Sequence, residues 1–168
     1  FTRAYCSAPS CAPARAALLT GRNFWELEQG AFIQAWLPAK FATLPEILAK
    51  AGYHTGYTGK CWGPGVKEPT GQRLDPAGKP WNSARVKAPP KGISDVDYAA
   101  NFERFLADKP DGQPFYFWAG LLEPHGPWGA DNETKIGVTP DQIKLPGFIP
   151  DTPGVRRARG HYLYEVQH

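Results

Sequence analysis

Residues 43–60 read TLPEILAKAGYHTGYTGK and predict a helix that passes directly into a strand. Thr43 is a candidate cap, Glu46 stands three residues later as in a capping box, and a glycine ends the helical pattern. The run at 53–59 has the composition of a short strand. Lys60 follows it at once, so the stretch predicts one α/β unit with a lysine at the carboxyl end of its strand.

The flanking sequence continues this alternation. One helix is predicted at 13–19 and another at 94–109, where Ser94 is the candidate cap and apolar side chains recur on one face. The apolar run PFYFWAGLL at 114–122 predicts a strand buried on both faces, and a further capped helix begins near Asp151. This order of elements predicts an α/β fold in which helices flank a mainly parallel sheet.

Composition narrows the class of protein. Apolar residues make up 42% and charged residues 21% of the 168 residues, as in a globular domain. The net charge of +3 is small, and the one basic cluster, RRAR at 156–159, is typical of a solvated helix face, so we expect no nucleic-acid partner. No apolar run is long enough to predict a membrane span. The spacing of the three cysteines fits neither a disulfide scaffold nor a zinc site.

Loops form a large part of the chain. Its 18 glycines and 18 prolines concentrate in long irregular stretches, above all 60–93 and 126–150, which we expect to determine specificity. The chain shows no initial methionine and no signal peptide, and it ends within a predicted helix. We therefore expect it to be a piece of a longer polypeptide.

A candidate anion site centres on CAPARAALLTGR at 11–22. Cys11 opens a predicted helix, whose free N–H groups and partial positive charge favour an anion and lower a thiol pKa. Arg15 stands one turn later and can hold an oxyanion with two hydrogen bonds. Lys60 and His125 each follow a predicted parallel strand, so both belong at the same edge of the sheet. The four side chains predict a pocket for sulfate or phosphate; the alternative is that Cys11 is a buried core residue.

The same stretch resembles the signature of the type I sulfatases, Cys-x-Pro-x-Arg followed by Leu-Thr-Gly. The matching positions are Cys11, Pro13, Arg15, Leu19, Thr20, Gly21 and Arg22. AGYHTGYTGK at 51–60 and PFYFWAGLLEPHGPW at 114–128 resemble the family's Gly-Lys strand and its buried strand before Pro-His. Most of the chain finds a counterpart, and it is most similar to the heparan N-sulfatase (sulfamidase) branch.

The resemblance implies a fold and a set of catalytic residues. It implies that residues 1–168 are part of a single sulfatase catalytic domain with a partial alkaline-phosphatase-like fold, without the family's first metal-binding strand and C-terminal part. Cys11 would be oxidised to formylglycine, whose hydrated aldehyde is the nucleophile. Arg15 would stabilise the formylglycine, Lys60 would bind a sulfate oxygen, and His125 would contact the sulfate or protonate the leaving group.

The resemblance also implies a metal ion. Calcium, with magnesium as the alternative, would polarise the sulfate. Cys11 as formylglycine would be one ligand. The family's other ligands, an acidic pair before the signature and an Asp with Asn or His well after it, fall outside this chain, so we expect the fragment alone not to turn over.

Two positions depart from the family pattern. Trp62 stands where many sulfatases carry a histidine after Gly-Lys, and it either stacks against a sugar ring or packs within its loop. Glu123 stands before Pro-His, where the family often carries aspartate. It belongs either to the rim of the substrate pocket or to a loop that it caps.

The expected activity is hydrolysis of an O- or N-linked sulfate from a sulfated sugar or glycosaminoglycan. The expected maturation partner is the formylglycine-generating enzyme, and the location expected from the family is periplasmic, secreted or lysosomal. Two alternatives remain open. One is a phosphonate or phosphate monoester hydrolase of the same superfamily, and the other is a non-catalytic anion- or glycan-binding protein.

Overall fold

The chain folds into two compact units, as seen in a computed structural model that describes residues 3–73 and 75–168. The first unit comprises Phe1–Ala84 and Asp97–Leu121, and the second comprises Arg85–Val96 and Leu122–His168. Helices and strands of the first unit are α1 (Cys11–Thr20), α2 (Leu44–Lys50), β1 (His54–Gly59), α3 (Tyr98–Asp108) and β2 (Phe115–Gly120). The second unit contains α4 (Pro153–Gln167) and two short 3₁₀ turns. That both units belong to one catalytic domain stays a prediction.

The two strands confirm the predicted parallel pairing. Their register runs from His54 opposite Phe115 to Gly59 opposite Gly120. The carboxyl ends of β1 and β2 therefore lie at the same edge of the sheet. On the far side of β1, the Trp81 N–H donates to the Tyr57 carbonyl at 2.7 Å, which extends the hydrogen bonding of the sheet by one segment.

Helix α3 covers one face of this sheet. Phe105 is fully buried, and its ring centroid lies 4.5 Å from that of His54 and 4.6 Å from that of Phe117. On the opposite face, Tyr57 packs with Leu19 of α1. Because side chains alternate along a strand, each face takes every second residue and meets a different helix.

Strand β2 is less buried than its apolar sequence predicts. Phe115 at its start keeps 45% of its surface exposed, and Ala119 near its end is also exposed. The prediction of burial on both faces is therefore wrong. The reason is that, among the described residues, β2 pairs only with β1, so side chains toward its other edge lack neighbours.

Helix α3 begins later than predicted because the preceding residues are held in an extended pairing. Val86 N–H donates to the Asp95 carbonyl at 2.7 Å. Ser94 accepts the Val96 N–H at 3.1 Å and is not the cap. Asp97 takes that role, with its carboxylate accepting the Ala100 N–H at 2.9 Å.

The predicted capping box of α2 is confirmed and extends into a partly buried ion pair. Glu46 accepts the Thr43 N–H at 2.9 Å. Arg73, only 5% exposed, donates to the same carboxylate at 2.6 and 2.9 Å. Its guanidinium also donates to the Leu37 carbonyl at 3.2 Å and the Phe41 carbonyl at 2.6 Å. One arginine thus ties the loop before α2 to the helix start.

In the second unit, Arg156 of the basic cluster has a structural role at the start of α4. Thr152 caps the helix by accepting the Val155 N–H at 3.3 Å. Arg156 pairs with Asp151 at 2.5 and 2.6 Å and donates to the Ile143 carbonyl at 3.1 Å. Within the described part of the chain, no helix is long and apolar enough to cross a membrane.

Candidate active site

Cys11 is the first residue of α1 and is half-buried. Ser10 before it is extended, and its side chain makes no capping hydrogen bond. The N–H groups of the first helical turn therefore stay available to a ligand, and Pro13 has none to satisfy. This places Cys11 at an end of a helix that favours negative charge.

Two glycines, Gly59 and Gly120, let the ends of β1 and β2 approach each other closely. The chain turns out of the sheet there, at Lys60. Gly59 has a φ of +76°, in the left-handed region that favours glycine, and a Cβ there would lie 2.9 Å from the Gly120 carbonyl carbon. A Cβ on Gly120 would lie 2.5 Å from the Cys61 Sγ and 2.8 Å from the Lys60 carbonyl oxygen. Lys60 N–H donates to the Gly120 carbonyl at 2.6 Å. Side chains at either glycine would force the turn apart.

The turn places Lys60 beside the start of α1. Lys60 Nζ lies 3.5 Å from the Cys11 Sγ, although 49 residues separate them in sequence. Arg15 Nη1 donates to the Lys60 carbonyl oxygen and so links α1 to the end of β1. The structure thus brings together three of the predicted site residues: Cys11, Arg15 and Lys60.

The electrostatics of the three residues favour an anion. Burial lowers the pKa of the Arg15 guanidinium below its ordinary value, and the neighbouring thiols of Cys61 and Cys11 act in the opposite direction. Arginine remains charged even so, because its ordinary pKa lies far above neutral pH. Two cationic side chains and a helix start therefore surround the Cys11 Sγ.

Cys61 is a second thiol near this site, and sequence reasoning gave it no role. It is 1% exposed, and its Sγ contacts the Thr58 and Trp118 carbonyls at 3.5 Å each. Burial raises the pKa of the Cys61 thiol to about 12, with Arg15 opposing the shift. Such a thiol is inert at neutral pH. Its position directly after Gly59 and Lys60 is the signal in the sequence that indicates a place next to the site.

Trp62 packs against both apolar clusters of the first unit. One cluster contains Leu19 and Tyr57, and the other contains Leu27 and Leu37. Its Nε1 is buried and has no hydrogen-bond partner. These contacts favour the loop-packing alternative for Trp62, and stacking against a sugar stays a prediction.

Glu123 and His125 lie in the second unit. Glu123 accepts the Ser94 N–H at 2.7 Å, as the loop-capping alternative requires. His125 is exposed, and its Nδ1 lies 2.6 Å from the Gly126 carbonyl oxygen. A carbonyl can only accept, so Nδ1 carries a proton and Nε2 is left to exchange one. That His125 and Glu123 act together with Cys11 stays a prediction.

The predicted calcium site has no ligand set in the part of the chain described. No group of three or more His, Cys, Asp or Glu residues there stands close enough to hold a metal ion. The charged side chains that the structure shows beside Cys11 are those of Lys60 and Arg15. The described residues therefore do not by themselves form a calcium centre.

Comparison with known proteins places these features in a family. The family model described as Sulfatase matches residues 1–142. The chain belongs to the sulfatase family. The match takes in α1, both strands and the loop carrying His125, whereas α4 lies beyond it. At the family level the activity is hydrolysis of sulfate esters. No solved structure matches the chain.

Proposed function

We propose that the protein is a sulfatase whose nucleophile is a formylglycine made from Cys11. The observation that carries this proposal is the 3.5 Å contact between the Cys11 Sγ and Lys60 Nζ at the start of α1. The Sγ marks the place of the aldehyde oxygen. The hydrated aldehyde supplies two hydroxyls, one to attack sulfur and the other to release the bound sulfate and restore the carbonyl.

Lys60 and Arg15 serve as the anion-binding groups of this site. Lys60 supplies a compact positive charge next to the attacking oxygen, where a sulfate oxygen also has to bind. Arg15 donates one N–H to the Lys60 carbonyl, and this hydrogen bond fixes its guanidinium. Its remaining N–H groups are donors for the formylglycine hydroxyl. Fixed donors of this kind stabilise a transition state because they need no reorganisation.

His125 is the proposed general acid. Its Nδ1–H is held by the Gly126 carbonyl at 2.6 Å, so Nε2 is the nitrogen that can protonate the departing alcohol or amine. A histidine suits this step because its ordinary pKa lies near neutral pH. Trp62 and Glu123 are proposed as secondary contacts to the substrate.

The proposed substrate is a sulfated sugar or glycosaminoglycan, with an O- or N-linked sulfate. Support for an N-sulfate comes from the likeness of the three motifs to the heparan N-sulfatase branch. Calcium, or magnesium in its place, and maturation by the formylglycine-generating enzyme are proposed on the same likeness. A periplasmic, secreted or lysosomal location accompanies them.

The test uses the full-length protein, co-expressed with the formylglycine-generating enzyme. Sulfate release from sulfated glucosamine and phosphate release from a matched phosphate monoester are measured side by side. Cys11→Ala should abolish sulfate release while the circular dichroism spectrum stays unchanged. Cys6→Ala, at an exposed free thiol, is the matched control and should retain activity. Equal sulfate release by Cys11→Ala would overturn the proposal, and faster phosphate release would favour the phosphohydrolase alternative.

A further inference from the structure

A further segment, residues 79–82, runs beside β1 on the side away from β2. The Tyr57 N–H donates to the Lys79 carbonyl at 3.1 Å, and the Tyr57 carbonyl accepts the Trp81 N–H at 2.7 Å. Hydrogen bonds toward one side of a parallel strand recur at every second residue. The next residue of β1 that needs a partner on this side is therefore Gly59, the last residue of the strand.

The side chain of Asn82 supplies that partner. The Gly59 N–H donates to Asn82 Oδ1 at 2.7 Å, and Asn82 Nδ2 donates to the Gly59 carbonyl at 3.4 Å. The hydroxyl of Thr58, a fully buried residue, also donates to Oδ1, at 3.0 Å, and so fixes the orientation of the amide. A side-chain amide carries both a donor and an acceptor, so it replaces the two backbone groups that another strand residue would offer.

The peptide groups of Gly59 and Lys60 are thereby bonded at every polar atom. The Lys60 N–H donates to the Gly120 carbonyl at 2.6 Å, and the Lys60 carbonyl accepts the hydrogen bond from Arg15. Asn82 binds both groups of Gly59. Glycine has the widest conformational freedom of any residue, and Gly59 here adopts a φ of +76°. The four hydrogen bonds therefore hold in one conformation the turn from which the Lys60 side chain starts.

We propose that Asn82 is a positioning residue for Lys60, whose amide fixes the preceding peptide from the side opposite β2. The inference rests on the proposed function, because that function gives Lys60 the sulfate oxygen. Asn82 itself touches no substrate in this role. Without its amide, the Gly59 N–H loses its acceptor and the turn gains freedom. The Lys60 ammonium then spends less time beside Cys11, where the anion has to bind.

The main test measures kcat for sulfate release by the full-length, formylglycine-bearing enzyme. Asn82→Leu keeps the size of the side chain and removes both bonds to Gly59, so kcat should fall by about 10- to 100-fold. Asn82→Asp keeps the acceptor for the Gly59 N–H and should restore kcat toward that of the parent. An undiminished kcat in Asn82→Leu, or a kcat in Asn82→Asp as low as in Asn82→Leu, would overturn the inference.

Gln113→Leu is the matched control at the opposite end of the sheet. Gln113 Nε2 donates to the Gly52 carbonyl at 2.8 Å, just before β1 begins. The substitution therefore removes the same kind of bond, from an amide side chain to the backbone, without touching the turn at Lys60. We expect kcat to stay unchanged. A fall equal to that of Asn82→Leu would show a general effect on the sheet and would overturn the inference.

A double-mutant cycle tests whether Asn82 acts through Lys60. Lys60→Met already removes the ammonium group, so adding Asn82→Leu should lower kcat further by a factor of about 2 or less. A purely structural role for Asn82 would lower kcat by the same factor in both backgrounds. That second outcome would overturn the inference.

Amide hydrogen exchange, followed by NMR, separates this inference from the proposed function because it needs no turnover. The Gly59 and Lys60 amides should be protected in the parent and exchange about 10-fold faster in Asn82→Leu, but not in Gln113→Leu. A converted parent that releases no sulfate would refute the proposed function alone. Should Asn82→Leu not fold, the parent and Asn82→Asp still decide. An unprotected Gly59 amide in either protein would overturn the inference.

Discussion

Replacing Gly120 with alanine tests whether the contact between the strand ends holds the site together. The added Cβ would lie 2.5 Å from the Cys61 Sγ and 2.8 Å from the Lys60 carbonyl oxygen. The thiol is fully buried and the carbonyl belongs to the backbone, so the turn at Lys60 has to shift. Overpacking of this kind costs about 1–3 kcal/mol of unfolding free energy. Because that carbonyl accepts the Arg15 hydrogen bond, the shift also reaches α1, which carries the proposed nucleophile Cys11.

The assays are urea unfolding and kcat/KM for sulfate release. We expect the stability loss above together with a fall in kcat/KM of about 10- to 100-fold, the effect of moving catalytic groups by about 1 Å. Gly147→Ala, where nothing lies within 4 Å of the added Cβ, is the control and should change neither quantity. Adding Cys61→Gly to Gly120→Ala should recover part of the stability because it removes one of the two clashes. If Gly120→Ala is as stable and as active as the parent, the strand ends do not position Lys60.

Four further predictions concern single side chains. Lys60→Met should lower kcat/KM by about 100-fold because it removes a fixed cation from the site, whereas Lys67→Met at an exposed position should not. Arg73→Met should cost about 3–5 kcal/mol in urea unfolding, since it leaves the Glu46 carboxylate and several carbonyls without their donor. Burial acts to raise the pKa of Glu46, but the hydrogen bonds from Arg73 and Thr43 outweigh it and lower that pKa. The stability that Glu46 contributes should therefore be present above the ordinary glutamate pKa and be lost as pH falls through the lowered pKa. Glu46→Gln should make the unfolding free energy depend less on pH in this acid range. Cys61, with a thiol pKa of about 12, should resist iodoacetamide at pH 8 in the folded protein and react after unfolding. Peptide mass mapping measures this difference. Reaction of the native protein at Cys61 would contradict its burial.

The local pattern of the sequence predicts the elements well where the interactions are local. The capping pair of Thr43 and Glu46 and the strand that follows are both present, and a helix between the two strands predicts their parallel pairing. The start of α3 is missed because the Asp95 carbonyl accepts the Val86 N–H, a pairing that keeps the residues before the helix extended and that no helical pattern reveals. The exposure of β2 is missed for a related reason, since it depends on which strands lie beside it.

The same distinction between what the sequence predicts and what depends on distant contacts applies to the candidate site. That Cys11 and Lys60 meet follows from a helix start and a strand end at one edge of a sheet, which the sequence predicts. The bond from Arg15 to the Lys60 carbonyl depends on the turn at Gly59 and could not be predicted from residue types. The burial of Glu165 on α4 could not be predicted either, because a glutamate on a polar helix is ordinarily a solvated residue.

The most direct test of the central claim is the mass of the peptide containing Cys11, measured on the full-length protein alongside its rate of sulfate release. Co-expression with graded amounts of the formylglycine-generating enzyme gives samples with different degrees of conversion. We expect the aldehyde fraction at Cys11 and the turnover rate to rise in proportion and to extrapolate together to zero. Undiminished sulfate release from protein in which Cys11 is entirely thiol would contradict it.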